Sequence, residues 1–585
     1  MKKKYDVVVV GGGLSGLCAA VACARHGAKT ALIHNRPVLG GNASSEIRMH
    51  ICGADFHETR TDARETGIVE EILLENRVRN PQYSYSEFDT VLWEKAHFQD
   101  GLDLYLNTHM HCATVEENTI KSIKAHQLTT EKNFTFDGEI FIDATGDATL
   151  AYLAGAEYMS GREGKDVYGE KYAPDKSDKH TMGSTLLFST KDMGKPMPFT
   201  KPFWANSYTE EDLKYRGHGA SGKNYWWIEL GGDKFDTISD SEEIRDELLK
   251  AVYGVWDHVK NGGEHGADNF VLDWVGFLPG KRESRRVLGD YVLKEQDLLE
   301  GRIFEDAVAY GGWSMDMHVV GGIGATEKPP TKNIFMDNVY TIPYRSLYSK
   351  NIHNLMIGGR AISASHMAFG STRVIATCAV IGQAIGTGAA MAVEKGITPR
   401  ELCADISDLQ RRLSKDDCYI PGYKNTDQKD LALKATVSCS SALDGYKCDD
   451  IVNGYPRKVK DNENCWVSDE IKDKPEWVFL KYEQPVSPRE IQLRLDSNLS
   501  KELSISMFDN ALSRQVPGIP AKLVKDYCIE CFLGDKLVHS ITVENNYLRF
   551  KRHFIDGDIK CDAIKISFLS TNGDKNARLF EVRVY

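Results

Sequence analysis

The chain has 585 residues, 42% of them hydrophobic and 27% charged, with a net charge of −12 and an isoelectric point near 5.8. That balance excludes a largely disordered chain and argues against nucleic acid or an anionic membrane as the main partner. No apolar run reaches the ~18 residues of a membrane span, and at ~150 residues per domain the length corresponds to about three to four domains.

The opening MKKKYDVVVVGGG has lysines ahead of an apolar run, as a signal peptide would. Asp6 interrupts that run, three glycines follow, and no small-residue cleavage site appears, so it reads as a first strand. Residues 5–10 form this strand, 11–16 a glycine turn, 17–26 an Ala-rich helix closed by Gly27, and 29–34 a second strand. Such a βαβ unit selects parallel α/β architecture. A helical stretch follows at 64–77, then a meander over 102–127 and a strand at 139–143 that runs into a turn at 144–147. From 156 to 340 the chain turns aromatic and glycine-rich, with Trp204, Trp226, Trp227, Trp256, Trp274 and Trp313. Residues 351–359 return to a strand with glycines, and 374–395 form a long small-residue helix ending at Gly396. After a charged stretch at 415–429, short strands separated by turns run from 432 and predict an all-β module. There is no internal repeat.

Gly11, Gly13 and Gly16 supply G-x-G-x-x-G between strand and helix, with Leu14 and Ser15 inside the motif. The glycines permit a tight turn and bring backbone N–H groups to a pyrophosphate at the helix N-terminus. The acidic residue that usually ends the second strand to hold a ribose is replaced by His34 and Asn35. That departure weakens a nicotinamide reading more than a dinucleotide reading. Residues 36–48, RPVLGGNASSEIR, add Arg36, Gly40, Gly41, Asn42 and Ser45; the run at 144–156 adds Gly146 and Asp147 after a strand. Residues 354–373, NLMIGGRAISASHMAFGSTR, lead into the long helix and add Gly359, Arg360, Ser371, Thr372 and Arg373. Met110, in the meander, completes the cofactor set.

Three glycine turns in this order resemble the FAD-binding domain of the glutathione-reductase-like flavoproteins. The strings RPVLGGNASSEIR, LPGKRESRRVLGDYVL, YGGWSMDMH and SHMAFGSTRV resemble more closely a bacterial FAD-dependent oxidoreductase family, over residues 5–400. This resemblance implies FAD, bound non-covalently, in a parallel-sheet (Rossmann-type) α/β domain over 1–155 and 341–420, split by an α+β substrate domain over 156–340. It also implies a link to carbohydrate use. The N-terminus of the long helix would stabilise negative charge on a reduced flavin ring. No second strand–glycine–helix unit serves NAD(P)H, because VVGGIGATEKPP from Val319 ends in two prolines. Electrons are therefore expected to enter from a substrate and leave to dioxygen, a quinone or another carrier, with a diffusible nicotinamide cofactor that has no domain of its own as the alternative.

A residue that manages one proton is needed beside the flavin. His318, with Asp316 two residues earlier, is the first choice for general base, and His366 the second. Arg48 and His50 are candidates for binding substrate oxygen. Lys281, Arg282, Arg285 and Arg286 read as a set of ion pairs with Glu283 and Asp290, or else as contacts to phosphate or an acidic substrate. Of the adjacent Trp226 and Trp227, one at most faces a given pocket.

Residues 430–585 resemble the discoidin (factor-V C-type) jelly roll, an all-β sandwich, through Asp450, Asn453, Gly454, Trp466, Trp477 and the terminal EVRVY. Trp466 and Trp477 are expected to pack its core. The thirteen cysteines are odd in number and scattered, which reads as reduced thiols in the cytoplasm unless a leader preceded Met1. Cys528 and Cys531 form one CxxC without the second pair that structural zinc needs, so no metal is assigned. The leading expectation is an FAD-dependent dehydrogenase acting on a hydroxyl carbon of a sugar or glycoside, a small-molecule partner. The alternatives are an FAD-dependent reductase of an unsaturated acid or ketone, and a glycan-binding scaffold with structural FAD.

Overall fold

In the computed structural model, which describes residues 1–54, 59–220, 225–263 and 265–585, the first apolar run forms a buried strand, β1 (Val7–Val10). Helix α1 (Leu14–Arg25) follows, and the chain returns in β2 (Thr30–Ile33). β3 (Leu102–Tyr105), β4 (Ile140–Asp143) and β5 (Leu355–Ile357) complete a five-stranded, all-parallel sheet in the order β5-β4-β1-β2-β3. β1, β2, β4 and β5 are buried throughout, as strands covered on both faces must be.

A second sheet joins three antiparallel strands, Thr108–Glu116, Thr119–Gln127 and Lys132–Asp137. Its edge is Lys2–Lys4, running parallel with Lys2 opposite Thr135. The lysines that mimic a leader are thus an edge strand.

The long helix α2 (Ile375–Lys395) is buried from Ala376 through Ala392 and ends at Gly396 in the left-handed region, φ +65°. By length and composition alone α2 is long and apolar enough to cross a membrane, and its burial makes it a core helix. α2 packs on α1 by way of small residues. A Cβ at Gly382 would sit 2.1 Å from the Ser15 carbonyl oxygen, and one at Gly386 2.2 Å from that of Ala19.

Between β4 and β5 lies the aromatic stretch. Its helix Ser241–Asn261 buries Ile244, Leu248, Val252, Val255 and Trp256 against Phe188, Tyr225 and Trp227. Short antiparallel strand pairs surround that core, among them Phe188–Asp192 with Phe270–Val275 and Met315–His318 with Thr331–Ile334.

The chain forms two compact units. The first comprises Met1–Asp55, Tyr83–Leu409 and Ser504–Arg514; the second comprises Phe56–Gln82, Gln410–Leu503 and Gln515–Tyr585. The helix Ile68–Arg79 therefore falls in the second unit, although its position in the chain places it inside the stretch read as nucleotide-binding.

The second unit is a sandwich of antiparallel sheets, one of five strands and one of four. Trp466 lies in its core, fully buried, with Nε1–H donating to the Ser441 carbonyl at 2.8 Å. Trp477 does not. On the strand Glu476–Val486 the residues Val478, Leu480 and Tyr482 face inward, so Trp477 points outward beneath the Lys565 ammonium, 5.5 Å from the ring centre. Cys528 and Cys531 share the strand Val524–Leu533, and their odd spacing puts them on opposite faces.

Candidate functional site

Turns rich in glycine gather at the C-terminal edge of the parallel sheet. At Gly11, φ +108°, an added Cβ would lie 2.2 Å from the Ala144 carbonyl oxygen, and at Gly16 it would lie 1.8 Å from that of Gly11. Only glycine allows these approaches. At Gly13, the N-cap of α1, a Cβ would meet nothing within 4 Å, and no side chain caps the helix. The N–H groups of its first turn, from Leu14 onward, are left for an anion. Gly40 and Gly41 pack directly on this turn: the Gly40 N–H donates to the Gly12 carbonyl at 2.8 Å, and a Cβ on Gly41 would be 3.1 Å from Gly13 Cα. The third turn closes the cradle, with the Gly359 N–H donating to Ser15 Oγ at 2.7 Å.

The side chains around the cradle divide into those the protein itself engages and those it leaves open. His34 folds beneath the first turn, where its Nδ1 accepts the Gly12 N–H at 3.0 Å. Burial, with Arg36 adding to it, pushes the His34 imidazole down to about 4, so the ring is neutral. Among the described residues Ser44 Oγ, Thr372 Oγ1 and Arg360 Nε are buried with no hydrogen-bond partner. Asn35 is exposed, and Arg36 is paired with Glu46 at 2.5 Å. Asn42 donates to the Lys281 carbonyl at 3.0 Å, and the Ser45 N–H donates to Asp89 at 3.0 Å. Met110 is buried beside a register break in its strand.

The Asp147 side chain is engaged within the protein. Its carboxylate is held by Lys281 at 2.8 Å, Arg360 at 2.9 Å and the Ser284 hydroxyl at 2.9 Å. Burial opposes its ionisation, but Arg360 and Lys281 outweigh burial and lower its pKa. Gly146 lies against the Arg360 guanidinium, 2.9 Å from where a Cβ would be. Ser371 is likewise committed within the protein, bonded to the Trp313 carbonyl at 2.5 Å and to the Tyr340 hydroxyl at 2.7 Å.

The two candidate histidines lie on elements in mutual contact. Helix His366–Thr372, which leads into α2, packs at Gly370 on the strand Met315–His318, where a Cβ would meet Met317 Sδ at 2.8 Å. Their surroundings differ. His318 Nδ1 is 2.6 Å from Glu229 and its Nε2 is 3.0 Å from Asp316. An ionised carboxylate only accepts, so both ring nitrogens must carry protons to make these bonds. Burial opposes ionisation of Glu229, yet Arg282 and His318 hold it down at about 2. Asp316 is held far below the carboxylate range by His318 and Arg373 against the same burial cost. Arg282, Glu229, His318, Asp316 and Arg373 thus form a chain of alternating charge. His318 therefore has no lone pair to offer, which counts against the expected order of the two bases.

His366 has one committed nitrogen. Its Nδ1–H donates to Glu283 at 2.9 Å, its backbone N–H donates to Glu163 at 2.8 Å, and Ser365 caps the helix. Its Nε2 makes no hydrogen bond among the described residues. Burial works against charge on Glu283, but His366 and Arg286 lower its pKa. The partners that decide this contrast, Glu283 and Glu229, lie 83 and 89 residues from their histidines in the chain, and sequence reading did not pair them.

Of the adjacent tryptophans, Trp227 is buried in the core with Nε1–H on the Gly217 carbonyl at 3.0 Å. Trp226 is half-buried and meets the His318 ring edge-on, centroids 5.5 Å apart. Arg48 stands at φ +63°, with its guanidinium 4.1 Å over the Trp274 ring and burial lowering its pKa. His50 is buried, its ring 6.1 Å from Phe508. The basic run at 281–286 is consumed internally: Lys281 by Asp147, Arg282 by Glu229, Arg286 by Glu163 and Glu283, and Arg285 over the Tyr152 ring at 4.0 Å.

A family model described as FAD dependent oxidoreductase matches residues 6–413. Among solved structures, the chain is similar to a Streptococcus pneumoniae fucose binding module, SpX-3, at 15% identity and a TM-score of 0.20, covering 27% of this chain and 96% of that one. It is also similar to the family 32 carbohydrate-binding module from C. perfringens NanJ in complex with galactose, at 18% identity and a TM-score of 0.19, covering 26% of this chain and 94% of that one.

Proposed function

We propose that this chain, which belongs to the FAD dependent oxidoreductase family, dehydrogenates a hydroxyl-bearing carbon of a sugar or glycoside. The donor set fits FAD: an uncapped α1 N-terminus faces open space at Gly13, and among the described residues Ser44 Oγ, beside the Gly40–Gly41 turn, and Arg360 Nε, beside Gly146, have no hydrogen-bond partner. Bound FAD supplies a two-electron acceptor for the hydride on the substrate carbon.

The observation that carries the reading is the Glu283–His366 pair. Glu283 accepts the Nδ1–H and so fixes the tautomer, leaving the Nε2 lone pair to take the hydroxyl proton as the carbon is oxidised to a carbonyl. The Glu283 carboxylate, ionised and fully buried, stabilises the imidazolium that results. Trp226 offers an aromatic face of the kind that stacks on sugar C–H surfaces, and the charge chain through His318 holds the strand beneath it.

The reductase reading needs a free arginine as proton donor. Arg282, Arg286 and Arg373 are each committed to carboxylates, which leaves Arg48 and Arg285, each over an aromatic ring, as the arginines that reading would need.

The test is anaerobic flavin reduction by sugars and glycosides added singly. A sugar should bleach the flavin band of the native protein. His366→Ala should slow that bleaching by ~10²-fold or more with the flavin retained, and His318→Gln should slow it less. An unimpaired His366→Ala rate removes the base assignment. Bleaching by no sugar removes the substrate class.

A further inference from the structure

A cluster far in the chain from the cofactor turns carries a second chemistry. Glu210, His218, His258 and His265 offer four ligand atoms that all lie within 4.8 Å of one another. Glu210 begins a short helix, Glu210–Leu213, that is fixed by a capping box between Thr209 and Asp212. His258 sits in the last turn of the helix Ser241–Asn261, and His218 and His265 follow on the loops after each helix. The three imidazole rings stand 4.8 to 5.1 Å apart, centre to centre.

All three turn Nε2 toward one atom. Glu210 Oε1 lies 3.1 Å from His258 Nε2, 3.5 Å from His218 Nε2 and 3.0 Å from His265 Nε2. A tetrahedral ion with ligands at 2.0–2.2 Å has an edge of about 3.3 Å between neighbouring ligand atoms, and the three separations from Oε1 are close to that edge. The Nδ1 of His218 is 2.7 Å from the Arg216 carbonyl oxygen, and that bond orients the ring with Nε2 toward Glu210. A backbone carbonyl on the far ring nitrogen is the usual means of orienting a ligating histidine.

We propose that Glu210, His218, His258 and His265 bind one divalent first-row transition metal ion, zinc being the type best suited to three imidazoles and one carboxylate. The ion fastens the start of one helix to the end of another 48 residues later in the chain. Four protein ligands close the shell, which makes the role structural. The anchor extends through Arg216, whose guanidinium donates to the carbonyls of Gly322 at 2.8 Å and Ala325 at 3.0 Å.

The experiment is elemental analysis of the purified full-length chain, followed by titration of the chelator-stripped protein with zinc and, separately, with manganese. The expected result is about one ion per chain, with zinc restored at a single site. Glu210→Gln and His265→Ala should each weaken zinc at least tenfold while keeping the flavin-to-protein ratio of the native chain. Glu210 is 66% exposed, so its substitution leaves the fold intact and the comparison remains decisive if His265→Ala fails to fold. Chelation should lower the unfolding midpoint of the native chain and leave that of Glu210→Gln unchanged. Absence of saturable uptake of either metal, or uptake unaltered by Glu210→Gln, overturns the proposal.

Discussion

His34 occupies the place where a carboxylate commonly ends the second strand of a dinucleotide fold, and it serves the protein first, accepting the Gly12 N–H beneath the phosphate turn. With burial holding its pKa at about 4, the folded state resists a proton that the unfolded chain takes up near pH 6.5. The folded value is the lower one, so its contribution to stability is complete above pH ~6.5 and is lost as the pH falls toward ~4, by about 3 kcal/mol. His34→Gln retains an acceptor for Gly12 but does not titrate. Its unfolding free energy should therefore fall less than that of the native chain over this window, as measured by denaturant titration. The identity of His34, and the oddity of a histidine there, could be read from sequence alone. Its inward rotation could not, since that depends on the Gly12 backbone lying against the ring. The Glu283–His366 pair was equally hidden: a base needs an orienting partner, and here that partner is brought close only by the fold.

At the scale of elements, β1, α1, β2 and α2 were legible because their signals are local. Apolar runs and glycine turns need no distant partner to interpret. The helix Tyr85–His97 passed unread although its signal was present. Ser84 accepts the Glu87 N–H as an N-cap, and Phe88, Val91 and Leu92 line one buried face. Trp477 was misplaced because its core role was carried over from the discoidin resemblance, whereas strand alternation decides which face a residue occupies. The helix pair offers a prediction. Gly382 and Gly386 let α2 approach the α1 backbone at Ser15 and Ala19, and Ser15 in turn holds Gly359. Gly386→Ala should force the helices apart at a cost of ~1–3 kcal/mol and should loosen FAD as well. Thermal unfolding with and without added FAD reads both effects; an unchanged midpoint and an unchanged flavin content would contradict the close approach.

At the scale of the whole molecule, the two units exchange segments along the chain. Ser504–Arg514 belongs to the first and Phe56–Gln82 to the second. A chain ended after residue 413, where the family match stops, would contain every cofactor turn yet lack the segment that places Phe508 beside His50. Such a chain should unfold at a lower temperature than the full-length protein and hold less flavin, and equal values for both would show the segment to be dispensable. No reading of motifs in linear order reveals this division, because composition changes at the borders of the sandwich and not at the borders of the units. The division also sets a clock on synthesis. The last residue of the main stretch of the first unit, Leu409, emerges from the ribosome 105 residues ahead of Arg514, a delay of about 5–20 s at ordinary translation speeds. During that interval the first unit is incomplete, and nascent chains should gain their full hold on FAD only once Arg514 has emerged.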